Sequence, residues 1–245
     1  MKRLCVIGAG PGGYVAAIYA AKRGLDVTLF EKEYLGGECS NHGCIPTKTF
    51  YSYAHLVRKN KAASRRKIFD SIPAIDYRMI VNRKDQVVKR LRSGIAFLLK
   101  QAGVEYINKE ALFIGDKRVE IVPGGEVMDF DHIIIATGSD PNIPPIEGLK
   151  GISPWTNRET LASNSLPENI AIIGAGVIGV EFASIFRSFG ANVTILEIRP
   201  TILEEFDHSL REILHKKLVN DGVKIHTAFI TERVERSSDG VLVYQ

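Results

Sequence analysis

Cys39 and Cys44, two of the three cysteines in this 245-residue chain, have four residues between them in the stretch Gly36-Gly37-Glu38-Cys39-Ser40-Asn41-His42-Gly43-Cys44-Ile45-Pro46-Thr47-Lys48. Closing so short a loop removes only ~2 kcal/mol of unfolded-chain entropy, the low end of what a disulfide contributes. A chain of this length has no need of such a staple, and the chemistry that suits the pair is reversible thiol–disulfide exchange. Pro46 fits the first turn of a helix. A helix starting near it aims unpaired N–H groups and the positive end of its dipole at Cys44, which favours thiolate there. The third cysteine, Cys5, lies in a strand pattern and reads as a small core residue.

Elsewhere the composition is that of an ordinary globular protein, 45% hydrophobic and 24% charged, with room for two modest domains. The net charge of +4 is mild, and much of it comes from Arg58, Lys59, Lys61, Arg65, Arg66 and Lys67. No aromatic residue interrupts that run, so it reads as a solvated surface segment and no nucleic-acid partner is expected. There is no apolar run of membrane-spanning length, and Met1-Lys2-Arg3 leads directly into a strand pattern rather than a cleavable signal. The expectation is a cytoplasmic protein with no membrane partner. In a reducing compartment, a closely spaced cysteine pair suits catalysis better than structure.

The elements that must position the cysteines begin with a repeat. Leu4-Cys5-Val6-Ile7 runs into Gly8-Ala9-Gly10-Pro11-Gly12-Gly13, an alanine-rich helical stretch to Arg23, Gly24, and the strand pattern Asp26 to Phe30 ending at Glu31. The first glycine makes a tight turn, the second admits a pyrophosphate to the backbone, and the third lets helix pack on strand; the acid suits an adenosine ribose. The pattern returns at Ile170 to Ile173, Gly174-Ala175-Gly176-Val177-Ile178-Gly179, a helix to Phe189, Gly190 and a strand ending at Glu197. First glycine to acid spans equal distances in the two copies, 8 to 31 and 174 to 197. Two dinucleotide sites are expected, each at the carboxyl ends of a right-handed βαβ sheet.

Between the copies, residues 74–101 carry apolar residues at helical spacing, with Gly103 as the stop. Short strand patterns follow, including a hairpin turned by Pro123-Gly124-Gly125, which read as a β-meander. His132 to Ala136 reads as a buried parallel strand ending in Thr137-Gly138-Ser139, and residues 140–168 as a proline-rich connection. The fold class expected is α/β: two doubly wound, Rossmann-like domains at 1–145 and 146–245, the second incomplete, with a small β-meander insertion.

The cysteine stretch, the two glycine motifs and Ala136-Thr137-Gly138-Ser139, in this arrangement, resemble the flavin-dependent pyridine nucleotide–disulfide oxidoreductases, and within them the dihydrolipoyl-oxidising branch. The resemblance implies FAD at Gly8, Gly10, Gly12, Gly13, Glu31, Lys32, Gly37, Lys48, Ala111, Thr137, Gly138 and Ser139. It implies NAD at Gly174, Gly176, Val177, Ile178, Gly179, Glu181 and Glu197, and no metal. By the same resemblance Cys39 exchanges with substrate, Cys44 contacts the flavin, Lys48 lies near flavin N5, and Glu181 is its ion-pair partner across the domains. The implied partners are a dithiol substrate carried by a lipoyl domain, and a second copy of the full-length chain in a homodimer.

Glu38 stands where the family has threonine, and Ser40 and His42 are unusual in the loop; the charge on Glu38 disfavours thiolate at Cys39. Family members run about twice as far, and their further half carries a His–Glu acid–base pair, so this chain alone is expected not to turn over. Glu197 placed at a ribose 2′ position would meet a 2′-phosphate at ~4 Å, costing ~4 kcal/mol per unit charge at an effective dielectric of about 20, so NAD is favoured over NADP. The alternatives are another disulfide or mercuric reductase of the family, or a truncated FAD-binding chain without turnover.

Overall fold

In the computed structural model, which describes residues 1–245, the apolar runs before and after the first glycine motif form β1 (Arg3–Ile7) and β2 (Asp26–Phe30). They pair in parallel, Leu4 opposite Val27 and Ile7 opposite Phe30. A parallel pair requires a crossover, supplied by helix α1 (Pro11–Lys22). Strand β3 (Glu105–Ile107) joins beyond β2, and β7 (His132–Ile135) joins beyond β1, giving the order β3-β2-β1-β7.

Each face of this sheet has its own cover. Leu4, Val6, Val27 and Leu29 pack with Ala17 of α1 and with Ile95 and Leu99 of α4 (Tyr77–Ala102). On the alternate positions, Cys5, Ile7 and Phe30 pack with Ala111, Val119, Ile121 and Phe130 from the antiparallel meander β4 (Glu110–Gly115), β5 (Arg118–Val122) and β6 (Glu126–Asp129). Cys5 is fully buried, and burial pushes its thiol up to about 12. The expectation that β7 is buried fails: Ile135 is 61% exposed, because β7 is the edge strand with β1 as its one neighbour.

The second glycine motif builds a matching sheet from β8 (Asn169–Ile173), α6 (Val177–Phe189), β9 (Asn192–Leu196), α7 (His208–Asn220) and β10 (Lys224–His226), in the parallel order β10-β9-β8. Its core joins Ile185, Phe186, Phe189, Val193, Ile195 and Leu218 to Phe50 and Ala54 of α3 (Cys44–Arg65) and to Tyr77 and Val81 of α4. Phe50, Tyr77 and Phe189 make mutual edge-to-face contacts at 5.9–6.2 Å.

Two compact units result, residues 1–46 with 84–140, and residues 47–83 with 141–245. They interleave along the chain, where the sequence expectation draws one cut at 145/146, because the apolar face of α3 finds its partners on α6.

The basic run also departs from expectation. Arg58 Nη1 donates to Ser188 Oγ at 2.8 Å and Lys61 Nζ to Ser188 O at 2.9 Å, so Lys61 caps the carbonyl end of α6 and Arg58 holds a side chain there, rather than both standing in solvent. Burial, followed by Arg187 and Arg65, lowers the Lys61 pKa. Within the proline-rich connection lies α5 (Asn157–Ala162), opened by a reciprocal Thr156–Glu159 capping box. Near the chain end β12 (Gly240–Tyr244) pairs with β11 (Arg233–Ser237) as a separate antiparallel ribbon.

Candidate functional site

At the carboxyl end of β1, Gly8 turns at φ +98°, and a Cβ there would stand 2.3 Å from Ala136 O and 3.1 Å from Thr137 Cα. The chain at Ala136 and Thr137 therefore packs directly against the glycine turn. Gly13 lies so near Gly8 that an added Cβ would come within 1.8 Å of its carbonyl, which is the close helix–strand packing expected of the third motif glycine. Around Gly12 nothing lies within 4 Å of the Cβ position, and no side chain caps Gly10 at the head of α1. The first turn thus presents backbone donors and open space, which fits a diphosphate. Glu31 Oε2 accepts the Ala9 N–H at 2.9 Å and Oε1 accepts the Glu33 N–H at 2.8 Å, leaving each oxygen a lone pair for ribose hydroxyls. These features fit the adenosine diphosphate half of FAD.

The cysteine segment starts beside this turn. Gly36 N–H donates to Ala9 O at 2.8 Å, and a Cβ on Gly37 (φ +56°) would lie 2.6 Å from Gly10 Cα, so the Gly-Gly pair permits backbone-to-backbone contact. Cys39 follows on the short helix α2 (Gly37–Asn41), half-buried, and Cys44 opens α3, exposed. Gly43 closes the corner between the helices, its Cβ position 3.1 Å from Glu38 O and 3.3 Å from Cys39 Cα. A larger residue there would push the two cysteines apart.

Three residues that the sequence reading passed over hold this segment. Asn41, 6% exposed, donates from Nδ2 to Leu35 O at 3.1 Å and Gly37 O at 2.8 Å. Arg92 of α4 donates from Nε to Asn41 Oδ1, and its guanidinium lies 3.7 Å from the centre of the Tyr34 ring. The separation of 51 residues between Asn41 and Arg92 left no local signal for the pair. Of the other candidates, Lys32 is exposed and ion-paired with Glu110 at 3.1 Å, chiefly through a hydrogen bond that raises the lysine pKa, while Ala111 is buried on β4 opposite Ile121.

In the second unit the geometry of the first recurs. Gly174 turns at φ +103°, and a Cβ on Gly179 would come within 2.2 Å of Gly174 O. Gly176 carries no side-chain cap and has nothing within 4 Å of its Cβ position, so Val177, Ile178 and Gly179 begin α6 beside open space. Glu197 Oε2 accepts the Ala175 N–H, and Oε1 accepts the Arg199 N–H at 2.7 Å, repeating the Glu31 pattern bond for bond. Arg199 Nε is held 3.4 Å from Glu204 Oε2. These residues fit a second adenine dinucleotide. Lys48 Nζ meets Glu181 Oε1, with side chains 60% and 33% exposed. Both lie in the second compact unit, which α3 enters after Pro46.

A family model described as pyridine nucleotide-disulphide oxidoreductase matches residues 2–244. The dihydrolipoyl dehydrogenase of Acholeplasma laidlawii is 45% identical over 240 residues, covering 95% of this chain and 70% of that protein. The dihydrolipoyl dehydrogenase of Geobacillus stearothermophilus is 38% identical over 241 residues, covering 97% of this chain and 51% of that one. Among solved structures, the HOCl-induced flavoprotein disulfide reductase RclA from Escherichia coli superposes with a TM-score of 0.85 at 31% identity, covering 99% of this chain and 52% of that chain. The chain thus spans about half the length of most of these relatives. With both glycine cradles, the acids that serve them and the cysteine segment in place, the chain belongs to the pyridine nucleotide-disulphide oxidoreductase family.

Proposed function

We propose that this chain is the dinucleotide-binding part of a dihydrolipoyl dehydrogenase, which oxidises a dithiol through the Cys39–Cys44 pair with FAD and NAD as cofactors. The observation that carries this reading is the seating of the cysteine segment on the glycine turn through Gly36 and Gly37. It starts the redox pair from the turn whose donors and acid suit FAD.

In the oxidised pair, a substrate thiolate attacks Cys39 and releases Cys44 as thiolate; the second substrate thiol then displaces Cys39. The substrate leaves as a disulfide and its electron pair stays on the two cysteines. FAD, when bound, supplies the two-electron relay from those thiols to NAD. Gly8, Gly10, Gly12, Gly13 and Glu31 would hold its adenosine diphosphate, with Lys32, Gly37, Ala111, Thr137, Gly138 and Ser139 as further contacts, and Lys48 with Glu181 at its reactive ring.

For the second cofactor NAD is preferred to NADP: a 2′-phosphate would meet the Glu197 carboxylate, and Arg199, the nearby cation suited to it, is engaged by Glu204. The resemblance further supports a cytoplasmic homodimer with a lipoyl domain as carrier.

Rapid mixing of the FAD-loaded, oxidised protein with dihydrolipoamide tests the half-reaction. Flavin bleaching that disappears in Cys39→Ser is expected. Faster reoxidation of the NADH-reduced protein by glutathione disulfide or by mercuric ion than by lipoamide would move the assignment to the alternative reductases.

A further inference from the structure

We propose that Arg92 is a positioning residue for the redox pair: clamped between the Tyr34 ring and Asn41, it fixes the turn that carries Cys39 and so sets how readily Cys39 and Cys44 join. This inference rests on the reading of that pair as the redox centre.

Arg92 and the cysteine segment meet within the first unit. Its guanidinium lies 3.7 Å from the Tyr34 ring centre, and its Nε donates to Asn41 Oδ1. The same Asn41 spends its two amide protons on Leu35 O and Gly37 O, the carbonyls at the entrance to α2. Both amide protons and the side-chain oxygen of Asn41 are therefore engaged, and at 6% exposure water is a poor substitute for Arg92. Tyr34, just before the segment, also lies 6.3 Å from the His42 ring at its far end. One side chain thus ties both ends of residues 34–42, and Cys39 lies between them.

Only a planar, forked cation does both jobs at once, since a lysine can donate to Asn41 or sit over the ring but cannot match both geometries. Loosening the turn lowers the effective concentration of one thiol at the other. Oxidation of the pair by glutathione disulfide is balanced: two cysteine thiols become one disulfide as one glutathione disulfide becomes two glutathione thiols, with both protons retained. Its equilibrium constant reads that effective concentration directly.

The test equilibrates FAD-loaded protein in glutathione buffers and quantifies the Cys39–Cys44 disulfide by acid quench and mass spectrometry, beside thermal unfolding and flavin content. Arg92→Met should lower the equilibrium constant by about tenfold, the effect expected for one hydrogen bond, with flavin content unchanged. Arg92→Lys should recover part of that loss, and Tyr34→Leu, at an exposed position, should give a smaller drop. If Arg92→Met does not fold, the other two variants decide on the same scale. Equilibrium constants within twofold of the parent for every folded variant would overturn the proposal. A parent that forms no disulfide would instead overturn the underlying redox assignment.

Discussion

Glu31 accepts the backbone N–H of Ala9 at 2.9 Å, so the acid that ends β2 also braces the glycine turn that follows β1. Glu197 does the same for Ala175 in the second unit. The 23-residue spacing shared by the two copies, 8 to 31 and 174 to 197, is the sequence trace of that bond, because strand pairing brings the acid level with the turn.

Replacing Glu31 by Ala leaves the Ala9 and Glu33 N–H groups without their acceptor. A stability loss of about 1–3 kcal/mol is expected, together with weaker FAD retention. Glu31→Gln, which keeps an acceptor oxygen, should restore part of the stability and less of the retention. Chemical denaturation and flavin absorbance per chain measure the two effects.

The motif glycines should divide into two kinds. Gly13→Ala drives a methyl into Gly8 O and is expected to cost about 3 kcal/mol or more. Gly12→Ala meets nothing within 4 Å, at a helical position, and should change stability by no more than ~1 kcal/mol. Gly176→Ala should likewise spare the melting temperature while weakening NADH binding, since its Cβ would occupy the space left for a pyrophosphate. Calorimetry and fluorescence titration separate fold from ligand.

How far the sequence discloses this structure follows from the range of each interaction. The cradles are local, with glycines, helix starts and acids at fixed spacing, so strands β1, β2, β8 and β9 and their turns were legible. The Thr156–Glu159 capping box was equally local and was passed over because prolines dominate its surroundings. The exposure of Ile135 was not legible: a continuous apolar run looks the same on an edge strand as inside a sheet, and only the strand order distinguishes them. Nor was the placing of residues 47–83, which depends on Phe50 and Tyr77 meeting Phe189 from more than a hundred residues away. The Arg92–Asn41 bond was hidden for the same reason.

The Lys48–Glu181 pair is exposed enough that its stability contribution should be small. Lys48→Met and Glu181→Gln are each expected to shift unfolding by ~1 kcal/mol or less. If the pair serves the flavin, either variant should slow flavin reduction by NADH about 10²-fold, within the range for a positioned charged group. Parallel denaturation and stopped-flow traces check the contrast, and a rate that tracks stability alone would remove both residues from the site.

Cys5 provides an internal control for the thiol chemistry. Burial holds its pKa at about 12 against an ordinary 9.0. The associated stability is fully present below pH 9.0 and is lost as the pH rises toward about 12, where the folded thiol ionises. Alkylation at neutral pH should therefore reach Cys5 only through unfolding.

Peptide mapping of the three cysteines in native, FAD-loaded protein, before and after one equivalent of dihydrolipoamide, tests the central claim most directly. The expected result is a Cys39–Cys44 cross-link before reduction, both residues alkylated after it, and Cys5 unlabelled throughout until the protein is denatured. A cross-link from Cys5 to either partner, or a Cys39–Cys44 pair that stays as thiols in glutathione disulfide, would contradict it.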